Sequence, residues 1–378
     1  MNVLQLTPEL NAGGVERTTL EVAEGLIKAG HSAHVVSAGG RMEDELLQMG
    51  AHLHKIDIGA KNILTYGSRV RALKKIILQH NIDIVHARSR VPAWIGYKAA
   101  KAANTPFIAT YHGIYNAGSS LKRRYNAIMT KGALTIANSN MTKEHIISEH
   151  GLDARRIVTI PRGVDMAAFD PAKIKPSDIA VIRQSWGAAS SETVLLLPGR
   201  LTEWKGQRVA INAMAGLDDR IRLVIMGDAQ GRESYVSELK ALTASHNLGP
   251  RIHFAAHNTD MALMLAASDC VLSTSTEPEA FGRVAIEAQA MGKPIIASAH
   301  GGTLETVLPE RTGLWTTPND VRDLINAISQ ITRRDKDSFF TAYDSAAARA
   351  HIARNFSKRA LQEKILAVYA RLLSETRA

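Results

Sequence analysis

Two glutamates, Glu279 and Glu287, flank a Phe-Gly pair in TEPEAFGRVAIEAQAMGKP (276–294). The apolar periodicity after Gly282 predicts a helix that ends before Gly292. The N–H groups of Phe281, Gly282 and Arg283 at its start favour an anion, and Gly282 permits close approach of an oxygen-rich ligand. Helical side chains lean back toward the N-terminus, so Glu287, about one turn after Arg283, is set beside that anion site. A carboxylate there suits neutral hydroxyls such as a ribose diol. Glu279, in the loop ahead of the helix, is placed for the hydroxyls of a sugar on the other side. The plainer alternative makes Glu279 a helix cap and Glu287 a solvated face residue. Val284, Ala285, Ala288 and Met291 mark a mostly buried helix, which speaks against an idle Glu287.

Three further strand ends carry residues suited to chemistry. In PGRLTEWKG (198–206), Arg200 and Lys205 flank a short loop. A guanidinium fork plus an ammonium suits a diphosphate and neutralises charge as a leaving group departs. In NAGGVER (11–17), Gly13 and Gly14 let the backbone approach a ligand at a helix N-terminus. The third glycine of a dinucleotide fingerprint is missing, so a plain tight turn is an equal reading. In TYHGIYN (110–116), His112 ends a strand and precedes a glycine, where a catalytic and a structural histidine are both admissible.

Alternating strands and helices position these loops. VLQL (3–6), AHVVSA, IDIVHA (82–87), PFIATYH (106–112) and ALTIANS (133–139) read as strands, each followed by helical sequence. The pattern pauses at 157–178, which holds three prolines and reads as a connection. It restarts at TVLLLPG, continues through RLVIMG, RIHFAAH, DCVLSTS and PIIAS, and is helical from about 319. The expected class is α/β, with two Rossmann-like domains built on parallel sheets. The boundaries are 1–165, a linker 166–192, a second domain 193–355, and a terminal helix 356–378 that could pack back on the first domain. Ligands bind at the carboxyl ends of such strands, so an interdomain cleft is expected.

At 378 residues two domains are the default, since about 150 residues is usual for one. The charge of +10 implies affinity for polyanions, while 5% aromatic content is poor for base stacking. Cys270 is the only cysteine, so an intrachain disulfide and cysteine-rich metal sites are excluded. It is expected to be a buried strand residue. The N-terminus carries neither a basic n-region nor a long apolar stretch, and no run approaches the roughly 20 residues of a membrane span. A cytoplasmic protein is expected, with any membrane contact peripheral.

Together GRLTEWKG, PEAFGRVAIEAQAMGKPIIAS, NAGGVER, TYHG, ANSNMTKEHI and IPRGVDMAAFDP resemble the retaining glycosyltransferases of family 4, which have the GT-B fold. The hallmark is a pair of glutamates with seven residues between them, Phe-Gly included, matched by Glu279 and Glu287. The resemblance spans essentially the whole chain. It implies that Arg200 and Lys205 hold the donor diphosphate, Phe281–Arg283 bind phosphate or sugar, Glu287 the ribose and Glu279 the transferred sugar. It also implies that His112 approaches the donor sugar and that the base lies near Gly227, Ala256 and His257. Similar enzymes retain anomeric configuration by front-face attack, the leaving phosphate taking the acceptor proton, and need no metal or other cofactor.

Two departures stand out: GDA (227–229) where the family has Gly-x-Gly, and RGVD (162–165) where Asn-Gly-Val-Asp is usual. The resemblance implies a nucleotide-sugar donor, with UDP-sugar preferred, and a glycan or lipid-linked acceptor in cell-envelope polysaccharide or lipopolysaccharide synthesis. A sugar-nucleotide epimerase of the same fold and a non-catalytic anion- or nucleic-acid-binding protein are the alternatives. The paired glutamates argue against both.

Basic residues gather in the first domain: Arg69, Arg71, Lys74, Lys75, Lys98, Lys101 and LKRR (121–124). They read either as a solvated face or as a dock for an anionic membrane, and SLKRRYNAIM favours the dock. HSAH (31–34), HLH (52–54) and HFAAH (253–257) have no carboxylate or cysteine nearby to complete a metal site, and read as structural or surface histidines.

Overall fold

The computed structural model describes all residues except 12, 116, 257, 259, 334–342 and 378. The chain divides into two compact units, Met1–Gly163 with Lys358–Ala378, and Val164–Ser357.

Unit one is built on seven strands: β1 (Asn2–Leu6), β2 (Ser32–Ser37), β3 (His52–Lys55), β4 (Ile84–Ala87), β5 (Phe107–Tyr111), β6 (Leu134–Ala137) and β7 (Ile157–Thr159). They pair in parallel in the order β3-β2-β1-β4-β5-β6-β7. Every residue of β4, β5 and β6 is buried, as expected of central parallel strands covered on both faces. The segment Ile157–Thr159, read from sequence as the start of a connection, is the edge strand β7.

The helix Lys358–Arg377 returns to this unit along the helix Gly14–Lys28. Leu361, Ile365, Val368, Tyr369 and Leu372 join a core that includes Leu20, Val22 and Leu26. Gln362 donates to the Glu21 carbonyl at 2.8 Å, and Lys358 Nζ lies 2.9 Å from the Glu24 carboxylate. The contact reaches the sheet itself, where the Tyr369 hydroxyl is 2.7 Å from His86 Nδ1 and His86 Nε2 is 2.7 Å from Thr110 Oγ1. Beside them the buried Arg88 donates from Nε to Gln5 Oε1 at 2.9 Å. Burial holds the His86 pKa well below its ordinary range, with Arg88 adding to the effect, so its ring is neutral.

Unit two has six strands: β8 (Thr193–Pro198), β9 (Ile221–Met226), β10 (Ile252–Ala255), β11 (Cys270–Ser273), β12 (Ile295–Ser298) and β13 (Gly313–Thr316). Their order is β10-β9-β8-β11-β12-β13, again parallel. The whole stretch 166–192, read as a linker, is part of this unit. The helix Pro176–Ser185 packs Ile179 and Ile182 on a core containing Trp186, Met264 and Leu265, and Phe169 and Ile174 join the same cluster. Apolar residues at helical spacing in this stretch outweigh its prolines, one of which starts the helix. Cys270 is buried in the core of β11, where burial pushes its thiol pKa up. Among the described residues no helix is long and apolar enough to cross a membrane.

The Tyr369–His86 bond ties the C-terminal helix to the sheet. Tyr369→Phe leaves a buried imidazole nitrogen without its partner and is expected to cost about 1–3 kcal/mol. Urea unfolding measures this; an unchanged midpoint would show that the bond contributes nothing.

Candidate functional site

In unit two the strand order reverses between β8 and β11, the topological switch point where open α/β sheets bind ligands. After β8 a short helical turn, Glu203–Lys205, ends at Gly206 in the left-handed region, φ 72°. A Cβ on Gly206 would lie 1.8 Å from the Thr274 carbonyl oxygen, so glycine alone lets the loops after β8 and β11 meet. Thr274 Oγ1 donates to the carbonyls of Lys205 and Gly206 at 3.3 and 3.1 Å. The Thr276 N–H donates to the Trp204 carbonyl at 2.8 Å.

That contact sets Lys205 against Glu279, with Nζ 2.6 Å from Oε1 and the side chains only 15% and 11% exposed. The Ser275 hydroxyl donates to the same carboxylate oxygen. Lys205 Nζ lies 4.5 Å from the Trp204 ring centroid, and the Arg200 guanidinium carbon 5.8 Å from it. Arg200 is itself exposed. The two cations read from sequence as a clamp therefore share one aromatic ring, and Lys205 also holds a carboxylate.

The helix predicted from Gly282 spans Arg283–Ala290, with Gly282 at its N-cap. Glu287 is not solvated: its Oε1 accepts from Arg283 Nε at 2.6 Å, one turn away. The Phe281 side chain packs with Ile286, Ala290, Ile352 and Phe356, which leaves its backbone as the part able to meet a ligand. Gly227 follows β9 and packs on the Gly199 carbonyl, and Ala256 follows β10 in an exposed position. His257 lies outside the described residues.

Sequence reading missed the loop after β12. A Cβ on Gly301 would fall 2.4 Å from the Glu279 carbonyl oxygen, and one on Gly302 would fall 2.3 Å from Phe281 Cα. The Gly302 N–H donates to the Glu279 carbonyl at 2.8 Å, and His300 Nε2 donates to the Ser275 carbonyl at 2.8 Å. The His300–Gly302 loop thus fixes the backbone that carries Glu279. Its signal was in the sequence: a glycine pair after a strand, the feature already noted at NAGG.

In unit one, His112 follows β5 and is 9% exposed. Asn138 Nδ2 donates to the His112 carbonyl at 3.2 Å, and Asn138 Oδ1 accepts from Thr142 Oγ1 at 2.8 Å. Arg162 Nη2 lies 3.4 Å from His112 Nδ1. Burial, then the charges of Arg162 and Arg88 and the nearby His86, hold His112 well below the ordinary imidazole pKa, so it is neutral. Gly13 caps the helix that begins at Gly14, and the Arg162 guanidinium lies against Gly14.

One sequence reading needs correction. Arg69 is not a surface cation: it is 8% exposed and donates to the carbonyls of Asp57, Ala60, Asn62 and Thr65, fastening the loop ahead of its helix. Arg71, Lys75, Lys98, Lys101 and the LKRR run are exposed. The histidines of HSAH and HLH, read as structural or surface residues, pack against one another. His34 faces His52 across the β2–β3 register, and with His54 and His80 they form a cluster, ring centroids 4.6 to 5.4 Å apart. Burial, then the neighbouring imidazoles, depress the His34 pKa to about 4. Among the described residues no group of three or more His, Cys, Asp or Glu side chains is arranged to hold a metal.

Residues 12–168 match the model of Glycosyltransferase Family 4, and 178–342 that of glycosyl transferases group 1. A crystal structure of a glycosyltransferase from Rickettsia africae is 35% identical and superposes with a TM-score of 0.90, covering 98% of each chain. Anabaena HepE, solved in complex with UDP and glucose, is 27% identical with a TM-score of 0.85, over 98% of this chain and 99% of that one. D-inositol 3-phosphate glycosyltransferase of Xylanimonas cellulosilytica is 29% identical over 264 residues, 63% of this chain. The match spans 60% of that relative's length. With two family models matched in succession over 12–168 and 178–342 and a similar solved structure, 35% identical, aligned over 98% of its length, the chain belongs to glycosyltransferase family 4 and has the GT-B fold.

Proposed function

We propose that the protein transfers a sugar from a nucleotide-sugar donor, a UDP-sugar, to a glycan or lipid-linked acceptor in cell-envelope glycan synthesis, with retention of anomeric configuration and without a metal. The observation that carries this reading is the Lys205–Glu279 pair at the switch point of unit two. A diphosphate needs countercharge and a sugar needs acceptors for its hydroxyls. A partly buried ammonium and carboxylate side by side offer both. Lys205 and the exposed Arg200 take the diphosphate. Glu279, relieved of its cation, accepts from hydroxyls of the transferred sugar, and Glu287 accepts from the ribose. The bond from the anomeric carbon to the phosphate oxygen breaks, the acceptor oxygen bonds to that carbon, and the acceptor proton passes to the departing phosphate.

UDP is favoured because HepE, similar over its full length, was crystallised with it. Metal independence is favoured because Lys205 and Arg200 supply the charge a cation would otherwise bring. The neutral His112 is assigned to a sugar hydroxyl as a hydrogen-bond donor.

A lipid-linked acceptor is supported by the helix Ser120–Asn126, where exposed Leu121 and Tyr125 accompany Lys122, Arg123 and Arg124. Ile63 and Leu64, 86% and 93% exposed, add apolar surface to the same unit. Cations near an anionic membrane each contribute about 1 kcal/mol.

A thermal-shift panel of UDP-, GDP- and ADP-sugars tests the donor. UDP-sugar should stabilise the protein by about 2.7 kcal/mol at a hundredfold excess over Kd, and no shift with any member would defeat the proposal. Lys205→Ala should weaken nucleotide binding and turnover together, and full activity in that variant would refute the diphosphate assignment. For membrane docking, co-sedimentation should be stronger with anionic than with neutral vesicles and should fall when Lys122, Arg123 and Arg124 are replaced by Gln. Equal binding to both vesicle types removes the idea.

A further inference from the structure

Arg162 stands where the family commonly has an uncharged asparagine, and its surroundings are specific. It follows β7, the edge strand of unit one. Nη2 lies 3.4 Å from His112 Nδ1 and 3.5 Å from the His112 carbonyl oxygen. On its other side, a Cβ at Gly14 would fall 1.6 Å from Arg162 Nη1. The absent side chain at position 14 is the room this guanidinium occupies. The helix beginning there places its positive end toward a cation, an unfavourable arrangement that Glu16 in the first turn offsets. Burial raises the Glu16 pKa and the Arg162 charge acts against that rise, so the two groups feel each other.

A guanidinium can only donate hydrogen bonds. Nδ1 of His112 must then be the acceptor, and the single proton of the neutral ring must sit on Nε2. Among the described residues Nε2 is buried without a hydrogen-bond partner. A buried donor left unsatisfied costs free energy unless a ligand completes it. The groups that act electrostatically on the ring are Arg162, Arg88 and His86, all of which oppose protonation. Asn138 and Tyr115 also make polar contacts with His112, both with its backbone.

We propose that Arg162 is a positioning residue for His112, fixing Nδ1 as an acceptor so that Nε2–H is presented as a donor to a hydroxyl of the substrate. This rests on the assignment of His112 to a sugar hydroxyl, but the tautomer it fixes exists without any substrate. The RGVD sequence and the second glycine of NAGG are then one device: the glycine makes the room, the arginine fills it, and the histidine is oriented by what fills it.

The test is long-range 15N–1H NMR of the ligand-free protein labelled at histidine nitrogens, with His112 assigned by comparison with His112→Gln. Wild-type His112 should show the Nε2–H neutral tautomer, unchanged from pH 5 to 9. In Arg162→Leu the loss of a neighbouring positive charge raises the His112 pKa, so the ring protonates as pH falls through the raised value and the tautomer is no longer unique. Arg162→Lys, which keeps charge and donor, should restore the wild-type pattern. In the transfer assay Arg162→Leu should lower kcat on the order of tenfold, the worth of one hydrogen bond. It should gain an acid limb in its pH profile, with the donor KM little changed. An Nδ1–H tautomer in the wild type overturns the proposal whatever the variants do. So does an Arg162→Leu protein with unchanged tautomer and pH profile. If Arg162→Leu does not fold, the wild-type spectrum and Arg162→Lys decide. A correct tautomer with no sugar transfer from any donor would instead count against the function, since the spectrum requires no turnover.

Discussion

The ion pair between Lys205 and Glu279 is the interaction on which the site in unit two depends. It joins loops that lie far apart in the chain, and β8 pairing with β11 forces those loops together. The glycine at 206 and the hydroxyl of Thr274 close the gap, and the His300–Gly302 loop braces the carboxylate from behind. A pair this sheltered is weak evidence for stability, because desolvating both charges offsets much of their attraction. Its value lies in position. Removing either partner strands the other charge in a poorly solvated place, whereas an incoming dianion can take the lysine and leave the glutamate to hydroxyls. The proposed chemistry is an exchange of partners between groups that the fold has already brought into contact.

Unit one uses polar groups differently. Its central strands carry Gln5, His86 and Thr110 inside the sheet's covered faces, Arg88 lies buried just after β4, and Tyr369 reaches in from the returning helix to His86. Buried networks of this kind favour one arrangement, since a partly satisfied alternative leaves polar atoms stranded. The same network sets the electrostatics around His112, because Arg88 and His86 both disfavour its protonation. A histidine at a strand end is therefore held neutral by the groups that organise the sheet beneath it.

Much of this was legible in the sequence. Val/Ile-rich runs alternating with helical patterns gave two parallel-sheet units, and the Glu279–Glu287 spacing with Arg200 and Lys205 pointed to the family. What escaped depended on strand order and register, which local sequence does not encode. His34, His52 and His54 look like scattered histidines until the β2–β3 register places 34 opposite 52. His80 then joins from a helix end. Arg69 looked like one of several surface cations because nothing in the helix shows that a preceding loop will wrap its guanidinium. The prolines of 166–192 suggested a linker, while the apolar spacing of Phe169, Ile174, Ile179 and Ile182 carried the information that it packs. Arg162 was visible only as a departure from a motif, and its partners Gly14 and His112 come from the ends of other strands.

The central claim is that Glu279 and the diphosphate compete for Lys205. Calorimetric titration of UDP into Glu279→Gln, beside the wild type, tests it most directly. With the carboxylate neutralised, Lys205 no longer has to leave an anion, so UDP should bind at least as tightly as to the wild type while sugar transfer is lost. UDP binding that weakens along with transfer would show that Glu279 holds the nucleotide itself, and would contradict the account.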